Sequence, residues 1–456
     1  PLYSSAASDV YKRQMYKVGM ISLGCPKNQV DAERMLAKLD AAEFEVCDCY
    51  DGVDAVIVNT CGFIDAAKEE AIENILDMAQ LKSEGTVGKI IVTGCLAQRY
   101  KDEVFSEMPE VDAVIGIGAN DDIAEIVKSV IDGKREYRMP ENCCLPLTGE
   151  RLLTTPEYWS YLKIADGCSN RCTYCAIPSI RGDYRSVEFE TLIEEAKQLA
   201  AAGTKELILI AQDTTNYGKD LYGKIRLPEL LDALCEIDGI EWIRMLYCYP
   251  DKITDELLET MARQPKVLNY IDLPLQHSND RILKAMNRRG NGEFLREVIA
   301  KIRKALPDAV IRTTFIVGFP GEGEKEFEDL AEFVNEIEFD RLGCFAFSPQ
   351  EGTPAFDMPD QVEEDVKTRR GEIIMQDQLE IVTLKNKSRV GKAYRVLVED
   401  YDGYADCYKG RTYMDAPEID GTVSFTTDKD YENGDFAEVE IIGVNDYDLI
   451  GRDISE

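Results

Sequence analysis

The stretch "YLKIADGCSNRCTYCAIPSIRG", residues 161–182, contains three cysteines and decides the fold. Cys168, Cys172 and Cys175 have the spacing C-x3-C-x2-C. Disulfide frameworks use even numbers of cysteines, and structural zinc sites use four ligands. The only histidine, His277, could in principle complete a zinc site from a distance. The alternative is a [4Fe–4S] cluster with three irons held by protein thiolates and the fourth iron open to a small molecule.

The composition is that of a long chain with reduced cysteines. It has 456 residues, enough for two to four domains, and 45% of them are hydrophobic. Most of the 14 cysteines lie in apolar, strand-like runs, which is typical of free thiols and metal ligands in an intracellular protein. No run of about 18 apolar residues is present, so we expect neither a membrane span nor any membrane partner. The expected location is the cytoplasm.

The chain is strongly acidic, with 52 Lys and Arg against 86 Asp and Glu and a net charge of −34. Such a surface repels phosphate backbones and attracts basic partners. Simple solubility explains the charge equally well at this point.

The first 14 residues, "PLYSSAASDVYKRQ", look foreign to the rest of the chain. They resemble the in-frame translation of a common sequencing-library adapter. We therefore expect residues 1–14 to be an artefact, place the natural start at Met15 and exclude the preceding segment from the fold.

Residues 15–140 alternate short apolar runs with amphipathic helical stretches, which predicts a doubly wound parallel sheet. Cys25, Cys61 and Cys95 each fall where an apolar run ends, and each adjoins a glycine. Because parallel strands end along one edge of a sheet, the three thiols should meet there and could hold an auxiliary cluster. Buried cysteines at strand ends are common, and that alternative explains any one of the three.

Residues 141–157 form a linker rich in turn residues, and we interpret its adjacent Cys143 and Cys144 as incidental. Residues 158–385 contain six further apolar runs separated by helical stretches, which predicts a partial (β/α)6 barrel. Chemistry in such barrels takes place at the carboxyl ends of the strands. Residues collected at those ends are Gln212, Asp213, Tyr247, Tyr249, Gln276, His277, Gly318 and Glu322.

Residues 386–456 show strand alternation interrupted by turn motifs, which predicts a small antiparallel β-barrel. This segment has eight basic and 17 acidic residues, a net charge of −9. RNA-binding modules are usually basic, with aromatic residues interleaved. Here the tyrosines lie among carboxylates, so we expect a basic protein as the partner rather than a nucleic acid.

The motifs "SLGCPKN", "NTCGFID", "TGCLAQRY" and "GCSNRCTYCAIPSIRG" resemble those of the radical S-adenosylmethionine methylthiotransferases. The resemblance runs from residue 15 to residue 456 and includes a C-terminal domain like the TRAM module. It implies two [4Fe–4S] clusters, one on each cysteine triad. It also implies S-adenosylmethionine as the ligand of the open iron, where one electron cleaves the sulfonium and releases a 5′-deoxyadenosyl radical.

The resemblance further implies which residues bind S-adenosylmethionine. An aromatic residue at Tyr174 packs near the adenine in the family, and "FIVGFPGE", residues 315–322, is similar to a segment that lines the cofactor. A tight turn that requires glycine at Gly321 is the alternative for that segment. Together with the polar residues at the strand ends, the residues expected to bind S-adenosylmethionine are Tyr174, Gln212, Asp213, Gln276, Arg312 and Gly318.

Within the family, "GFIDAAKEE" and "DLPLQHSND" resemble the branch that methylthiolates the β-carbon of an aspartate in small-subunit ribosomal protein S-twelve. The resemblance implies a reaction that consumes two molecules of S-adenosylmethionine. It also implies an external electron donor, such as flavodoxin or ferredoxin, and a sulfur donor. We interpret "MNRRG", residues 286–290, as an anion contact, with a solvated helix end as the alternative.

Two other functions stay open from the sequence. The nearest is a MiaB-type methylthiotransferase that acts on isopentenyladenosine in tRNA, against which the acidic C-terminal segment argues. The other is a non-catalytic iron–sulfur scaffold or electron carrier, which would have four thiolates for each cluster and no open iron.

Overall fold

A computed structural model describes residues 15–455, so the expected adapter segment lies outside the described residues. The chain divides into two compact units after Leu152. Residues 141–152 of the predicted linker group with the first unit, and the predicted barrel and C-terminal domain both lie in the second. No helix within residues 15–455 is both long enough and apolar enough to cross a membrane.

The first unit is built on a six-stranded sheet in the order β2-β1-β3-β4-β5-β6, and every neighbouring pair is parallel. This confirms the predicted doubly wound α/β fold. In chain order the elements are β1 (Lys17–Ser22), α1 (Pro26–Ala41), β2 (Glu45–Cys47), β3 (Ala55–Thr60), α2 (Asp65–Ser83), β4 (Ile90–Gly94), α3 (Cys95–Arg99), α4 (Lys101–Glu107), β5 (Ala113–Ile115), α5 (Ile123–Ile131) and β6 (Glu136–Arg138).

The central strands are apolar because both faces of the sheet are covered. Every residue of β3 and β4 is buried. Met35 of α1 and Ile126 of α5 belong to the core on one face, and Ile75 of α2 and Val104 of α4 belong to the core on the other. Continuous apolar runs are typical of parallel strands covered on both sides.

Two local features of the first unit were not predicted from the sequence. The edge strands β2 and β6 are only three residues long and were missed because so short a run has no measurable period. The apolar run that ends at Cys95 leads directly into helix α3, which begins at that cysteine. Gly94 makes this turn with φ +92°, and a Cβ atom there would lie 2.4 Å from the carbonyl oxygen of Thr60.

The second unit begins with an open sheet of six parallel strands in the order β7-β10-β11-β12-β13-β14. The strands therefore lie side by side in the same order as they occur along the chain. This arrangement agrees with the predicted partial barrel. Its elements are β7 (Trp159–Lys163), β8 (Ala165–Asp166), α6 (Ile177–Arg181), β9 (Arg185–Ser186), α7 (Phe189–Ala201), β10 (Glu206–Ile210), α8 (Lys219–Tyr222), α9 (Leu227–Cys235), β11 (Trp242–Met245), α10 (Asp255–Arg263), β12 (Val267–Asp272), α11 (Asp280–Ala285), α12 (Gly292–Ala305), β13 (Val310–Val317), α13 (Glu324–Ile337), β14 (Arg341–Ala346) and α14 (Glu364–Lys387).

The C-terminal strands form a closed barrel in the order β15-β16-β17-β19-β18. The β17–β19 pair is parallel, although an antiparallel barrel was predicted. A closed ring with an odd number of strands cannot alternate direction all the way round, so one pair must be parallel. The strands are β15 (Ala393–Asp402), β16 (Cys407–Arg411), β17 (Val423–Thr426), β18 (Phe436–Asn445) and β19 (Asp448–Asp453).

A buried ionic network joins the C-terminal barrel to the amino ends of the parallel strands. Glu206, the first residue of β10, accepts hydrogen bonds from Arg244 at 2.7 Å and from Arg411 of β16 at 2.7 Å. Arg341, the first residue of β14, pairs with Asp415. Burial alone would raise the pKa of Glu206. The positive charges of Arg411 and Arg244 outweigh this effect, so the pKa of Glu206 is lowered. The carboxylate is therefore ionised and needs both cations.

Replacing Arg411 with Met should destabilise the second unit by about 3–5 kcal/mol, because Glu206 loses a cation while it stays buried. Arg452→Met removes an exposed partner of Glu440 and should cost about 0–1 kcal/mol. Urea unfolding followed by tryptophan fluorescence measures both, since Trp159 and Trp242 lie in this unit. Equal stability of the two variants would contradict the network's role.

Candidate functional site

The cysteines of the first triad follow three neighbouring strands of the first sheet. Cys25 directly precedes α1, Cys61 follows the last residue of β3, and Cys95 is the first residue of α3. Cys95 is buried, and the other two are partly exposed. The amino end of the 16-residue helix α1 favours negative charge, which suits a thiolate at Cys25.

The three cysteine-bearing turns pack directly against one another. A Cβ atom at Gly24 would lie 2.7 Å from Cβ and 2.9 Å from Sγ of Cys61. A Cβ atom at Gly62 would lie 2.7 Å from Cα of Leu96, the residue after Cys95. No side chain fits at either glycine without displacing a neighbouring turn, so these glycines allow the cysteine turns to approach closely.

Three polar side chains hold these turns in place, and the sequence did not predict this role for them. Asn28 Nδ2 donates to the carbonyl oxygen of Leu23 at 2.7 Å, and Asn59 Nδ2 donates to the carbonyl oxygen of Asn28 at 2.9 Å. Arg99 Nη1 donates to the carbonyl oxygen of Gly62 at 3.0 Å. Their only signal in the sequence is that each lies within four residues of a triad cysteine.

The second triad lies in the loop after β7, and buried ionic bonds close that loop. Asp166 accepts from Lys163 Nζ at 2.9 Å, from Arg181 Nη1 at 2.8 Å and from the backbone N–H of Gly167 at 2.7 Å. Its carboxylate and both cationic side chains are fully buried. Burial alone would raise the pKa of Asp166. The positive charges of Arg181 and Lys163 outweigh this effect and hold the pKa of Asp166 well below its usual range. The backbone N–H of Cys168 donates to the carbonyl oxygen of Gly182 at 3.1 Å and completes the closure.

Residues 285–287, at the end of α11, form hydrogen bonds with the cysteine loop from the other side. The backbone N–H of Thr173 donates to the carbonyl oxygen of Met286 at 3.1 Å, and Thr173 Oγ1 donates to that of Ala285 at 2.8 Å. Asn287 Nδ2 donates to the carbonyl oxygen of Arg171 at 2.8 Å. The cysteine loop is thus fixed by hydrogen bonds on both sides before any cofactor binds.

The donor set fits an iron–sulfur cluster better than a zinc ion. Among residues 15–455, no three Cys, His, Asp or Glu side chains surround a point where one metal ion could bind. His277 lies instead beside Glu322, with Nε2 at 3.3 Å from the carboxylate, so it does not complete a zinc site. A four-iron cluster binds each thiolate at a different iron, so its ligands need not converge on one point.

Burial disfavours the thiolate form at two of the three cysteines of the second triad. Burial raises the pKa of Cys168 and, more strongly, that of Cys175. Cysteine binds metal as the thiolate, so cluster assembly must release the protons of these thiols.

Two of the residues expected to bind S-adenosylmethionine carry buried acceptor atoms without a partner. Gln212 Oε1 and Gln276 Oε1 accept no hydrogen bond from any residue that the structure describes. Gln276 also has φ +72°, an unusual backbone conformation for a residue other than glycine. Leaving such acceptors unsatisfied costs about 1–3 kcal/mol each, which a ligand with amino or hydroxyl groups would recover. The residues present therefore fit a polar cofactor at the carboxyl ends of β10 and β12.

Tyr174 and Gly318 have packing roles in the structure. Tyr174 is partly buried against the core cluster that includes Met286 and Phe319. A Cβ atom at Gly318 would lie 2.2 Å from Cγ of Lys367, so glycine lets α14 approach. Their predicted contacts with the cofactor stay predictions.

Asp213 and Arg312 are already engaged in ionic contacts. Asp213 accepts from Asn170 Nδ2 at 2.8 Å and pairs with Lys252. Arg312 Nη1 donates to Asp272 at 2.9 Å, and its Nε lies 3.6 Å from Asp420 in the C-terminal barrel. These contacts account for both residues without a cofactor, and their binding role stays a prediction.

The two arginines of the "MNRRG" segment have different surroundings. Arg288 is buried, with Nη1 4.0 Å from Cys172 Sγ. Arg289 is exposed and pairs with Asp251 at 3.0 Å. The sequence could not distinguish the two.

Models of three known families match successive parts of the chain. The model described as "Radical SAM superfamily" matches residues 162–334, and that described as "TRAM domain" matches residues 390–454. Residues 17–116 match "Uncharacterized protein family UPF0004".

Curated relatives match almost the whole chain. A protein of Acetivibrio thermocellus named "Ribosomal protein uS12 methylthiotransferase RimO" is 50% identical over 448 residues, which cover 96% of this chain and 99% of the relative. Proteins with the same name from Desulforamulus reducens and a Thermoanaerobacter species are each 48% identical, again over 96% of this chain. Identity of this level over full length establishes family membership.

Solved structures support the fold. The radical S-adenosylmethionine methyltransferase TsrM from Kitasatospora setae matches with a TM-score of 0.57 and 11% identity, over 75% of this chain and 74% of TsrM. The cobalamin-dependent radical enzyme OxsB matches with a TM-score of 0.53 and 13% identity, over 80% of this chain and 56% of OxsB. At such low identity the likeness concerns architecture alone.

Two separate cysteine triads predict separable effects of cysteine substitution. Cys168→Ala should abolish cleavage of S-adenosylmethionine, whereas Cys61→Ala should leave cleavage measurable and stop methylthiolation. The reconstituted protein should contain about eight irons per chain, from two four-iron clusters, and each variant should lose part of this iron. Iron analysis and the yield of 5′-deoxyadenosine measure the two effects.

The matched control replaces the exposed Cys143 and Cys144 together with Ser, which should leave the iron content unchanged. Loss of all cluster signal in both single variants would contradict two independent sites.

Proposed function

The chain belongs to the RimO family of radical S-adenosylmethionine methylthiotransferases, and we propose that it methylthiolates the β-carbon of an aspartate in small-subunit ribosomal protein S-twelve. We propose that it uses two [4Fe–4S] clusters and two molecules of S-adenosylmethionine for each modification. The observation that carries this proposal is the pair of separate cysteine triads, each on loops packed at the carboxyl ends of parallel strands.

In this proposal each triad holds one cluster. Cys25, Cys61 and Cys95 hold the auxiliary cluster at the edge of the first sheet. Cys168, Cys172 and Cys175 hold the cluster that leaves one iron for S-adenosylmethionine. When bound, the second cluster and its ligand would supply radical chemistry able to break an unactivated C–H bond, which acid–base side chains cannot do.

The contribution of the chain is to position and shield these groups. The Asp166 network and the hydrogen bonds from Thr173 fix the cysteine loop. The free acceptors of Gln212 and Gln276 are suited to donors on the methionyl or nucleoside part of the ligand. Tyr174 adds a partly buried aromatic surface beside Cys175.

The charge of the C-terminal barrel supports a basic protein substrate over tRNA. Six of the eight basic side chains in residues 386–456 already contact oxygen atoms of the protein itself. They are Arg389, Arg395, Lys409, Arg411, Lys429 and Arg452. Phosphate contacts need available cations, so the barrel is poorly equipped to bind RNA.

The hairpin between β15 and β16 offers a negatively charged docking surface. Asp400 and Asp406 are exposed there, and Tyr404 at the tip is fully exposed. An exposed aromatic ring surrounded by carboxylates suits the lysines and arginines of a ribosomal protein, through charge and cation–π contacts. We propose that this hairpin binds the ribosomal protein substrate.

The remaining partners follow from the chemistry of the proposal. A low-potential electron carrier such as flavodoxin or ferredoxin would reduce the cluster, and a separate sulfur donor would supply the transferred sulfur. We propose that the activity takes place in the cytoplasm, where a ribosomal substrate and such donors are found. A four-thiolate electron carrier is the weaker candidate, because neither triad has a fourth cysteine in its motif.

Removing negative charge from the hairpin should weaken the interaction with the ribosomal protein. Replacing Asp400, Asp402 and Asp406 with Asn adds three units of charge, and we expect binding or modification to fall by about threefold to tenfold, as rim charges act mainly on association. Binding of tRNA should stay the same or increase. The initial rate of modification and a filter-binding assay with tRNA measure the two effects.

A matched control neutralises Asp428, Asp430 and Glu432, which are exposed elsewhere on the same barrel. This variant has the same net charge and should modify its substrate at nearly the parental rate. Equal losses in the two variants would indicate general charge rather than docking at the hairpin. Tighter tRNA binding accompanied by tRNA methylthiolation would favour the MiaB-type function.

A further inference from the structure

Arg288 is a buried cation without a carboxylate partner. The residue is 9% exposed, and no carboxylate of the described residues pairs with it. Its neighbour Arg289 has such a partner in Asp251. Burying a guanidinium without an anion is costly, so the fold must supply negative charge near Arg288 in some other form.

The contacts of Arg288 direct it toward the second cysteine triad. Nη2 donates to the carbonyl oxygen of Pro274 at 2.5 Å, and the guanidinium lies over the Tyr249 ring, 4.4 Å from its centroid. Nη1 is then 4.0 Å from Cys172 Sγ. The carbonyl oxygen and the ring fix the side chain, so its orientation toward the sulfur does not depend on a bound cofactor.

Cys172 is set apart from the other two cysteines by these neighbours. The hydroxyl of Tyr249 also lies 3.7 Å from Cys172 Sγ, so a cation and a hydroxyl both face this sulfur. Cys168 Sγ has a neutral neighbour, Asn170 Nδ2, at 3.6 Å. Among these contacts, the guanidinium of Arg288 therefore meets the triad at the sulfur of Cys172.

We propose that Arg288 is a positioning residue that raises the reduction potential of the cluster held by the second triad, by placing a fixed positive charge beside the Cys172 thiolate. The inference rests on the proposed function, since it requires that cluster. Reduction transfers one electron from an external reductant to the cluster and adds one negative charge. A cation in a site of low dielectric constant stabilises the reduced form more than the oxidised form. Hydrogen bonds to the sulfurs and net charge are known determinants of cluster potential.

The test uses the full-length chain with Cys25, Cys61 and Cys95 replaced by Ala, so that one cluster gives the whole signal. Dithionite titration followed by electron paramagnetic resonance gives the midpoint potential. Arg288→Gln should lower the ratio of reduced to oxidised cluster at fixed potential at least tenfold, which is about 59 mV for a one-electron couple. Arg289→Gln, which removes the same charge one residue later, should leave the midpoint unchanged.

Two further variants keep the test decisive if Arg288→Gln loses its cluster. Tyr249→Phe keeps the ring beneath the guanidinium and removes only the hydroxyl, and Arg288→Lys keeps the charge but not the planar contact with the ring and the carbonyl oxygen. Each should lower the midpoint measurably, but by less than the shift of about 59 mV expected for Arg288→Gln. Unchanged midpoints in both, or equal midpoints in Arg288→Gln and Arg289→Gln, would overturn the inference. Failure of the parent chain to form any cluster would contradict the proposed function instead.

Discussion

The buried carboxylate of Asp166 is the group on which the central site depends. It bonds to Lys163 before the cysteine loop and to Arg181 after it, so one side chain fixes both ends of the segment with the three thiols. It also accepts from Gln212 Nε2 at 3.2 Å, which links the loop to the next strand and leaves Gln212 Oε1 available. Removing the carboxylate would leave two cations buried without an anion, a change that costs several kcal/mol. The position of the triad, the orientation of Gln212 and the closure of the loop therefore depend on a single ionised group.

Buried charges are also paired at the opposite end of the strands, and Arg288 differs from this pattern. Glu206 accepts from Arg244 and Arg411 at the amino ends, where the C-terminal barrel is attached. Within the second unit the buried Arg181, Arg244 and Arg411 each meet a carboxylate. Arg288 meets only a carbonyl oxygen, an aromatic ring and a sulfur. In a fold that pairs its buried charges so consistently, the negative charge of a thiolate-bound cluster is the natural partner of that guanidinium.

Local patterns allowed much of this to be predicted from the sequence. The C-x3-C-x2-C spacing and the cysteines at the ends of apolar runs are short-range features, and the parallel sheets follow from the alternation of apolar and amphipathic segments. The contacts that orient the site join residues far apart in the chain, such as Arg99 with Gly62 or Arg288 with Cys172, and no spacing rule reveals them. Helix α14 was missed because it lacks a strong amphipathic period. Arg312 was expected to bind the cofactor, because its pairing with Asp272 could not be seen in the sequence.

The central claim concerns which molecule receives the methylthio group and at which atom. Reconstituted protein should be incubated with reductant, a sulfur source and S-adenosylmethionine, in one mixture with ribosomal protein S-twelve deuterated at its aspartate β-carbons and with unmodified tRNA containing isopentenyladenosine. Mass spectrometry of both macromolecules and of the released 5′-deoxyadenosine is the decisive measurement. The account predicts a methylthio group on one aspartate of S-twelve, deuterium in the 5′-deoxyadenosine and unchanged tRNA. Methylthiolated tRNA with unmodified S-twelve and no deuterium transfer would contradict it.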